Sequence, residues 1–126
     1  MSENNKPQVL CVDDSTFMLE AVSAALGDDY EVFTLSKATA VEKFLQNNMP
    51  DLILLDYSMP DINGFELIPI IRKIEAHRET PIIFLSATGL PERVNEAMSL
   101  GACDYVLKPL RADILREKLE KHIIRE

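Results

Sequence analysis

Short apolar runs alternate along the chain with segments in which apolar residues recur at helical spacing. Between and after the runs, the recurrence every three or four positions is typical of amphipathic helices. Strand and helix in alternation predict an α/β fold with parallel strands and right-handed crossovers. The predicted strands are Val9–Val12, Glu31–Leu35, Leu52–Leu55, Ile82–Leu85 and Cys103–Leu107. The helical positions are Met18, Val22 and Ala25; Ala38, Val41 and Leu45; Val94, Ala97 and Met98; and Ile114 or Leu115, Leu119 and Ile123.

The polar content of the strands predicts their order. The first, third and fourth strands are apolar throughout, as expected of strands that are covered on both faces. Glu31 and Thr34 interrupt the second strand and Asp104 interrupts the fifth, which suits the edges of a sheet that face water on one side. The pattern therefore predicts a flavodoxin-like, doubly wound sheet of five parallel strands in the order 2-1-3-4-5, with five helices.

The third helix carries a start signal and an interruption. Asn63 lies three residues before Glu66, which resembles a capping box and predicts the helix start. Pro69 falls within residues 65–74, where it would remove a backbone hydrogen bond and kink a helix. Two alternatives stay open, a helix that begins later and a helix that bends.

Composition and charge narrow the functional classes. The 126 residues include 13 Lys and Arg against 21 Asp and Glu, a net charge of −8. Such a balance argues against a domain that holds nucleic acid or an anionic membrane by charge alone. The longest apolar runs are too short to span a bilayer, and Met1 to Gln8 has no apolar signal segment. We expect one cytoplasmic domain over residues 1–126.

The two cysteines do not suggest a disulfide. In the predicted order two strands separate Cys11 from Cys103, which is roughly 14 Å at the usual strand spacing. That distance is too long for a disulfide, so both are expected to be core thiols.

Chemically active residues follow four of the five strands at their carboxyl ends. In a doubly wound sheet ligands bind outside these ends, where the connections diverge between strands one and three. Three carboxylates there require a cation or shifted pKa values, and oxygen ligands suit Mg²⁺. With a lysine and a hydroxyl group beside them, we expect these carboxylates to form a site for phosphoryl transfer to an aspartate. The residues are Asp13 and Asp14 after strand one, Asp56 after strand three, Ser86 after strand four, and Lys108 and Pro109 after strand five.

Each of these residues also has a plain structural interpretation. Asp14 or Ser15 could cap the first helix, and a single lysine or serine is usually solvated. The combination of suitable groups at several strand ends, rather than any one residue, indicates function.

Three other classes of protein fit the sequence less well. The four glycines form neither G-x-G-x-x-G nor a Walker-type motif, which argues against a nucleotide-binding module. Ser86 has no G-x-S-x-G elbow, and His77 and His122 are expected to be exposed helix or loop residues, which argues against an α/β hydrolase. A phosphatase of the haloacid dehalogenase type requires Asp-x-Asp, whereas Asp13 is followed two residues later by Ser15.

The motifs, in this order and spacing, resemble the chemotaxis-type receiver domain of two-component response regulators. The resemblance covers the chain from about Pro7 to Ile124. It rests on Asp13-Asp14-Ser15, Leu52-Ile53-Leu54-Leu55-Asp56-Tyr57-Ser58-Met59-Pro60 with Asp61-Ile62-Asn63-Gly64, Ser86-Ala87, Tyr105, and Lys108-Pro109.

The resemblance implies a role for each motif. Asp56 would be the phosphorylated nucleophile, Ser86 and Lys108 would hold phosphoryl oxygens, and Pro109 would follow a cis peptide bond. The receiver would catalyse only its own phosphorylation and dephosphorylation and would not otherwise be an enzyme. The implied ligands of Mg²⁺, for which Mn²⁺ could substitute, are Asp14, Asp56, the backbone carbonyl of Ser58 and, through water, Asp13.

The resemblance also implies a switch and its partners. Ser86 would move toward the phosphoryl group and Tyr105 would turn inward, altering the surface of helix four, strand five and helix five. The donor would be a phosphohistidine on a sensor histidine kinase or a histidine phosphotransfer protein, and small donors such as acetyl phosphate should also work. The output would be a protein target or an attached domain, with no direct contact to nucleic acid or membrane.

Several points stay open at the level of sequence. Helix five could form a homodimer surface or a solvated face, and the chain could be a diffusible regulator or a receiver from a longer protein. Ser58 and Thr88 are neither acids nor amides, so we expect a moderately long-lived phosphoryl group. The alternative function is a degenerate receiver that binds partners without being phosphorylated.

Overall fold

Five parallel strands form one sheet in the order β2-β1-β3-β4-β5, which confirms the predicted order. The computed structural model describes residues 6–87 and 89–123. The three central strands are almost completely buried and the two edge strands are partly exposed, as the polar interruptions predict. The strands are β1 (Gln8–Val12), β2 (Glu31–Leu35), β3 (Leu52–Asp56), β4 (Ile82–Ser86) and β5 (Asp104–Leu107).

Five α-helices cover both faces of the sheet. Successive strand residues point to opposite faces, so the apolar strands supply two cores. One core lies between the sheet and helices α1 and α5, and the other lies against α2, α3 and α4. Among the described residues no helix is long and apolar enough to cross a membrane. The helices are α1 (Thr16–Leu26), α2 (Val41–Asn47), α3 (Gly64–Arg72), α4 (Pro91–Ser99) and α5 (Ala112–His122), with 3₁₀ turns at Ala38–Ala40 and Glu75–His77.

Helix α3 begins where the capping box predicts and continues past its proline. The Asn63 side chain accepts a hydrogen bond from the Glu66 backbone at 2.9 Å, and the Glu66 side chain accepts one from the Asn63 backbone at 3.3 Å. Pro69 lies inside the helix, which extends to Arg72. The alternative of a later start is therefore wrong, because the cap fixes the first turn before the proline is reached.

Both histidines are less exposed than the sequence suggests. His77 is buried, with Nε2 3.1 Å from the Asn48 carbonyl oxygen and Nδ1 2.9 Å from the Thr80 hydroxyl. His122 is half-buried, and its Nε2 lies 2.9 Å from Asp104 Oδ2. The prediction of exposed histidines is wrong because each ring joins its segment to a neighbouring one.

The cysteines are free thiols. Cys11 is buried in β1, and Cys103 is partly buried against the same core. Burial raises the pKa of both thiols, which keeps them protonated near neutral pH.

Candidate functional site

Three carboxylates meet at the carboxyl ends of the neighbouring strands β1 and β3. Asp13, Asp14 and Asp56 each offer an oxygen that lies within 4.8 Å of the others. Asp13 is fully buried and Asp56 is 3% exposed, whereas Asp14 is exposed. The cluster lies between β1 and β3, where the connections were predicted to diverge, and it is open to solvent on the side of Asp14.

Lys108 directly follows the edge strand β5, and its side chain reaches two of these carboxylates. Its Nζ donates to Asp56 Oδ1 at 2.9 Å and lies 3.1 Å from Asp13 Oδ2. Its backbone N–H donates to the Ser86 carbonyl at 2.7 Å, which continues the pairing of β4 with β5. The bond from Lys108 to Pro109 is a cis peptide, as the resemblance implies. The ends of β1, β3, β4 and β5 thus supply one connected site.

Burial and neighbouring charges shift the pKa values of Asp56 and Lys108. Burial raises the pKa of the Asp56 carboxyl; the hydrogen bond from Lys108 opposes this rise and the charge of Asp13 adds to it. Burial alone would lower the pKa of the Lys108 ammonium, but the hydrogen bonds and charges of the two carboxylates raise it. Lys108 therefore stays charged, and its ammonium is paired with two of the three carboxylates in the cluster.

Asp13 offers a buried oxygen that suits a cation. Its Oδ1 accepts a hydrogen bond from the Ser15 backbone at 2.9 Å. Among the described residues, its Oδ2 has one close polar partner, the Lys108 ammonium at 3.1 Å. A buried carboxylate with oxygens of two further carboxylates within 4.8 Å fits a hard divalent cation such as Mg²⁺ or Mn²⁺.

The loop between β3 and α3 folds over the Asp56 side chain. The Ser58 backbone N–H lies 3.4 Å from Asp56 Oδ1 and donates to it, and the Gly64 backbone donates to the Tyr57 carbonyl at 2.9 Å. Asp61 accepts a hydrogen bond from the Thr39 backbone at 3.1 Å, which ties the loop to the segment after β2. The loop is therefore fixed at both of its ends.

Ser86 and Tyr105 line one small cavity between the sheet and α4. Both residues are half-buried, Ser86 at the end of β4 and Tyr105 within β5. The cavity measures about 20 Å³, room for about one water molecule. The structure therefore brings the two predicted switch residues to a shared space. The remaining lining residues are Tyr57, Phe65, Phe84, Arg93, Val94 and Ala97.

The family model described as the response regulator receiver domain matches residues 9–120. The chain belongs to this family. The matched span of the receiver domain contains every candidate site residue from Asp13 to Pro109. Thr88, Met1 and Ile124, which the sequence interpretation also used, lie outside the described residues.

Relatives of this receiver domain are two-component response regulators. The two-component response regulator ORR24 of Oryza sativa subsp. japonica is 36% identical over 121 residues, 94% of this chain and 19% of that protein. The receiver domain thus spans about a fifth of the length of the curated relatives it matches.

Solved structures agree with the fold. The chemotaxis response regulator CheY4 of Vibrio cholerae superposes with a TM-score of 0.89 at 31% identity, covering 94% of this chain and 100% of that one. A BeF3-activated DrrB receiver domain superposes with a TM-score of 0.81 at 29% identity, covering 93% and 97% of the two chains.

One pair of residues in this receiver domain was missed by the sequence analysis. Arg93 of α4 donates a hydrogen bond to the hydroxyl of Tyr57, the residue that follows Asp56. The Arg93 guanidinium also lies 4.9 Å from the centre of the Tyr57 ring. The two residues are 36 positions apart, and no spacing pattern within one element connects them.

Gly64 allows α3 to begin against the end of the Asp56 strand. A Cβ at this position would lie 2.5 Å from Phe84 Cε1 and 2.9 Å from the Asp56 carbonyl oxygen. We expect Gly64→Ala to lower the free energy of unfolding by about 1–3 kcal/mol, because backbone must shift to make room. Urea unfolding measures the loss.

Gly89→Ala is the matched control for this substitution. A Cβ at Gly89 would meet atoms of the flexible Leu107 side chain at 3.4 Å or more. The control should change the free energy of unfolding by less than about 0.5 kcal/mol. Equal losses in the two variants would contradict the steric account of Gly64.

Proposed function

We propose that this receiver domain accepts a phosphoryl group on Asp56 from a phosphohistidine of a sensor histidine kinase or a histidine phosphotransfer protein. The observation that supports the proposal is the buried Asp56 carboxylate, hydrogen-bonded at 2.9 Å by Lys108 and flanked by two further carboxylates. The same proposal treats residues 1–126 as one receiver domain. If Asp56 is not phosphorylated, the alternative is a receiver that binds partners without modification.

The transfer forms one bond and breaks another. A carboxylate oxygen of Asp56 attacks the phosphorus as the P–N bond to the donor imidazole breaks, and the electron pair of that bond leaves with the imidazole nitrogen. The Lys108 ammonium neutralises charge on one phosphoryl oxygen, and the Ser86 hydroxyl donates a hydrogen bond to another. The product is an acyl phosphate on Asp56.

The carboxylates would hold the divalent cation beside the phosphoryl group. Asp14, Asp56 and the backbone carbonyl of Ser58 would bind Mg²⁺ directly, and Asp13 would bind one of its waters. When bound, Mg²⁺ would supply positive charge between the phosphoryl oxygens and the carboxylates. The approach of oxygens from Asp13, Asp14 and Asp56 to within 4.8 Å of one another supports this assignment.

Intact mass after incubation with acetyl phosphate tests the proposal and its metal dependence. With Mg²⁺ present we expect the mass of one added phosphoryl group, and chelation of Mg²⁺ should abolish the gain because the surplus negative charge then repels the donor. Beryllofluoride binding, measured in parallel, distinguishes rapid self-dephosphorylation from a site that cannot be phosphorylated. The absence of both a mass gain and beryllofluoride binding would overturn the proposal.

Output would pass through the face formed by α4, β5 and α5. Ser86 would turn toward the phosphoryl group, Tyr105 would turn inward, and the exposed surface would change. Large apolar side chains exposed on this face, among them Met98, Leu100 and Leu107, support a protein partner. The partner would be a downstream target, an attached output domain or a second copy of this chain.

The phosphoryl group is expected to be moderately long-lived, with a half-life longer than seconds. Ser58 is exposed beside Asp56, and as a hydroxyl it holds an attacking water less firmly than an acid or amide would. Loss of the added mass after removal of acetyl phosphate measures the half-life, and Ser58→Asn should shorten it several-fold. A half-life of seconds in the wild-type chain would contradict this prediction.

A further inference from the structure

Helix α4 is held to the rest of the fold by few apolar contacts. Within α4, all of whose residues are described, Ala97 is the one buried side chain. Val94 is half-buried, and Met98 is 42% exposed. A helix with so little buried apolar surface moves at low cost in free energy. Single polar contacts can therefore decide its position.

The Arg93–Tyr57 contact is such a polar anchor. The Tyr57 backbone is fixed by hydrogen bonds to Leu85 at 3.1 Å and from Gly64 at 2.9 Å, and its ring packs on Phe65 with centroids 4.7 Å apart. Arg93 then joins α4 to this fixed ring through both a hydrogen bond and a cation–π contact. The anchor lies directly beside the phosphoacceptor.

Tyr105 cannot turn inward while the cavity keeps its present walls. A space of about 20 Å³ holds one water molecule, far less than a phenol ring needs. On the opposite side, Lys118 lies 5.1 Å from the centre of the Tyr105 ring and is fixed by its ion pair with Asp104 at 2.7 Å. Ser86 also lines this space, but its turn toward the phosphoryl group vacates no more than the volume of a hydroxyl group, so an inward turn also requires the wall formed by Tyr57, Arg93 and α4 to move.

We propose that the Arg93–Tyr57 contact is a latch that holds α4 in the position that excludes the Tyr105 ring, and that the latch opens when the receiver is activated. The inference rests on the proposed function, which supplies the activating phosphoryl group. Because the latch favours the inactive arrangement alone, its removal shifts the equilibrium toward the active one without phosphorylation. Loss of a cation–π contact at an exposed site should change the equilibrium constant between the inactive and active arrangements roughly two- to fivefold.

Fluorine NMR of the chain labelled with 3-fluorotyrosine tests the latch. The three tyrosines give three resonances, which single Tyr→Phe variants assign. Beryllofluoride with Mg²⁺ defines the active position of the Tyr105 resonance in the wild-type chain. In the absence of beryllofluoride, Arg93→Ala should move the Tyr105 resonance toward that position, and Arg93→Lys should move it less because an ammonium retains part of the contact.

Two further variants sharpen the measurement. Asn95→Ala changes an exposed residue of the same helix and should leave the Tyr105 resonance in place. Tyr57→Phe removes the hydroxyl but keeps the ring, so it should reproduce part of the Arg93→Ala shift. A Tyr105 resonance that Arg93→Ala leaves unmoved, or moves away from the active position, would overturn the latch while the proposed function stands. If beryllofluoride moves no resonance of the wild-type chain, the activation itself fails.

Discussion

An Asp56→Asn chain incubated with acetyl phosphate and Mg²⁺ is expected to gain no phosphoryl group, whereas the wild-type chain gains one. The amide has nearly the shape of the carboxylate but is a far weaker nucleophile, so the acyl phosphate cannot form. Intact mass measures the difference. Asp51→Asn is the matched control, because Asp51 immediately precedes the same strand at its opposite end and should leave phosphorylation unchanged. A full mass gain in Asp56→Asn would place the acceptor elsewhere.

The same substitution should not unfold the chain. The raised pKa of Asp56 means that folding disfavours its charged form at neutral pH, chiefly because the group is buried. A neutral amide removes that cost and the repulsion from Asp13, and Lys108 keeps its ion pair with Asp13 at 3.1 Å. Without Mg²⁺ the free energy of unfolding should therefore be equal to that of the wild type or higher. A loss of phosphorylation without a loss of stability would show that the substitution removes the phosphate acceptor and does not unfold the chain.

The sheet and most of the site could be predicted because both depend on simple repeating geometry. Apolar strands such as the predicted Leu52–Leu55 must be covered on both faces, so polar content alone separates central strands from edges. Parallel strands end at the same edge of the sheet. Residues that directly follow different predicted strands, such as Asp13, Asp56 and Lys108, can therefore be predicted to meet although they are far apart in sequence.

Contacts between side chains of different elements could not be predicted. Asp104 suggested an edge strand facing water, and the strand is an edge, yet the carboxylate is only 13% exposed. It accepts hydrogen bonds from Lys118 and His122 at 2.7 and 2.9 Å. Burial alone would raise the pKa of Asp104, but these hydrogen bonds lower it. The polar residue therefore marks the docking of α5, which depends on helix rotation rather than on strand pattern.

Lys108→Met is expected to slow phosphorylation by acetyl phosphate by about 10²–10³-fold, the usual cost of removing one charged or hydrogen-bonding group from a developing negative charge. Methionine keeps much of the volume of the lysine stem but carries no charge. The initial rate of mass gain at saturating Mg²⁺ measures the effect. Lys118→Met is the matched control, because Lys118 is also partly buried in an ion pair, with Asp104, but lies outside the carboxylate cluster.

Mg²⁺ affinity should change in the opposite direction to the phosphorylation rate. Lys108 shares Asp13 and Asp56 with the proposed cation, and its removal leaves the carboxylates uncompensated, so Lys108→Met should bind Mg²⁺ several-fold more tightly. A misfolded chain would lose both metal binding and phosphorylation. An unchanged phosphorylation rate, or a parallel fall in rate and Mg²⁺ affinity, would contradict the role of Lys108 as the cation that neutralises the phosphoryl group.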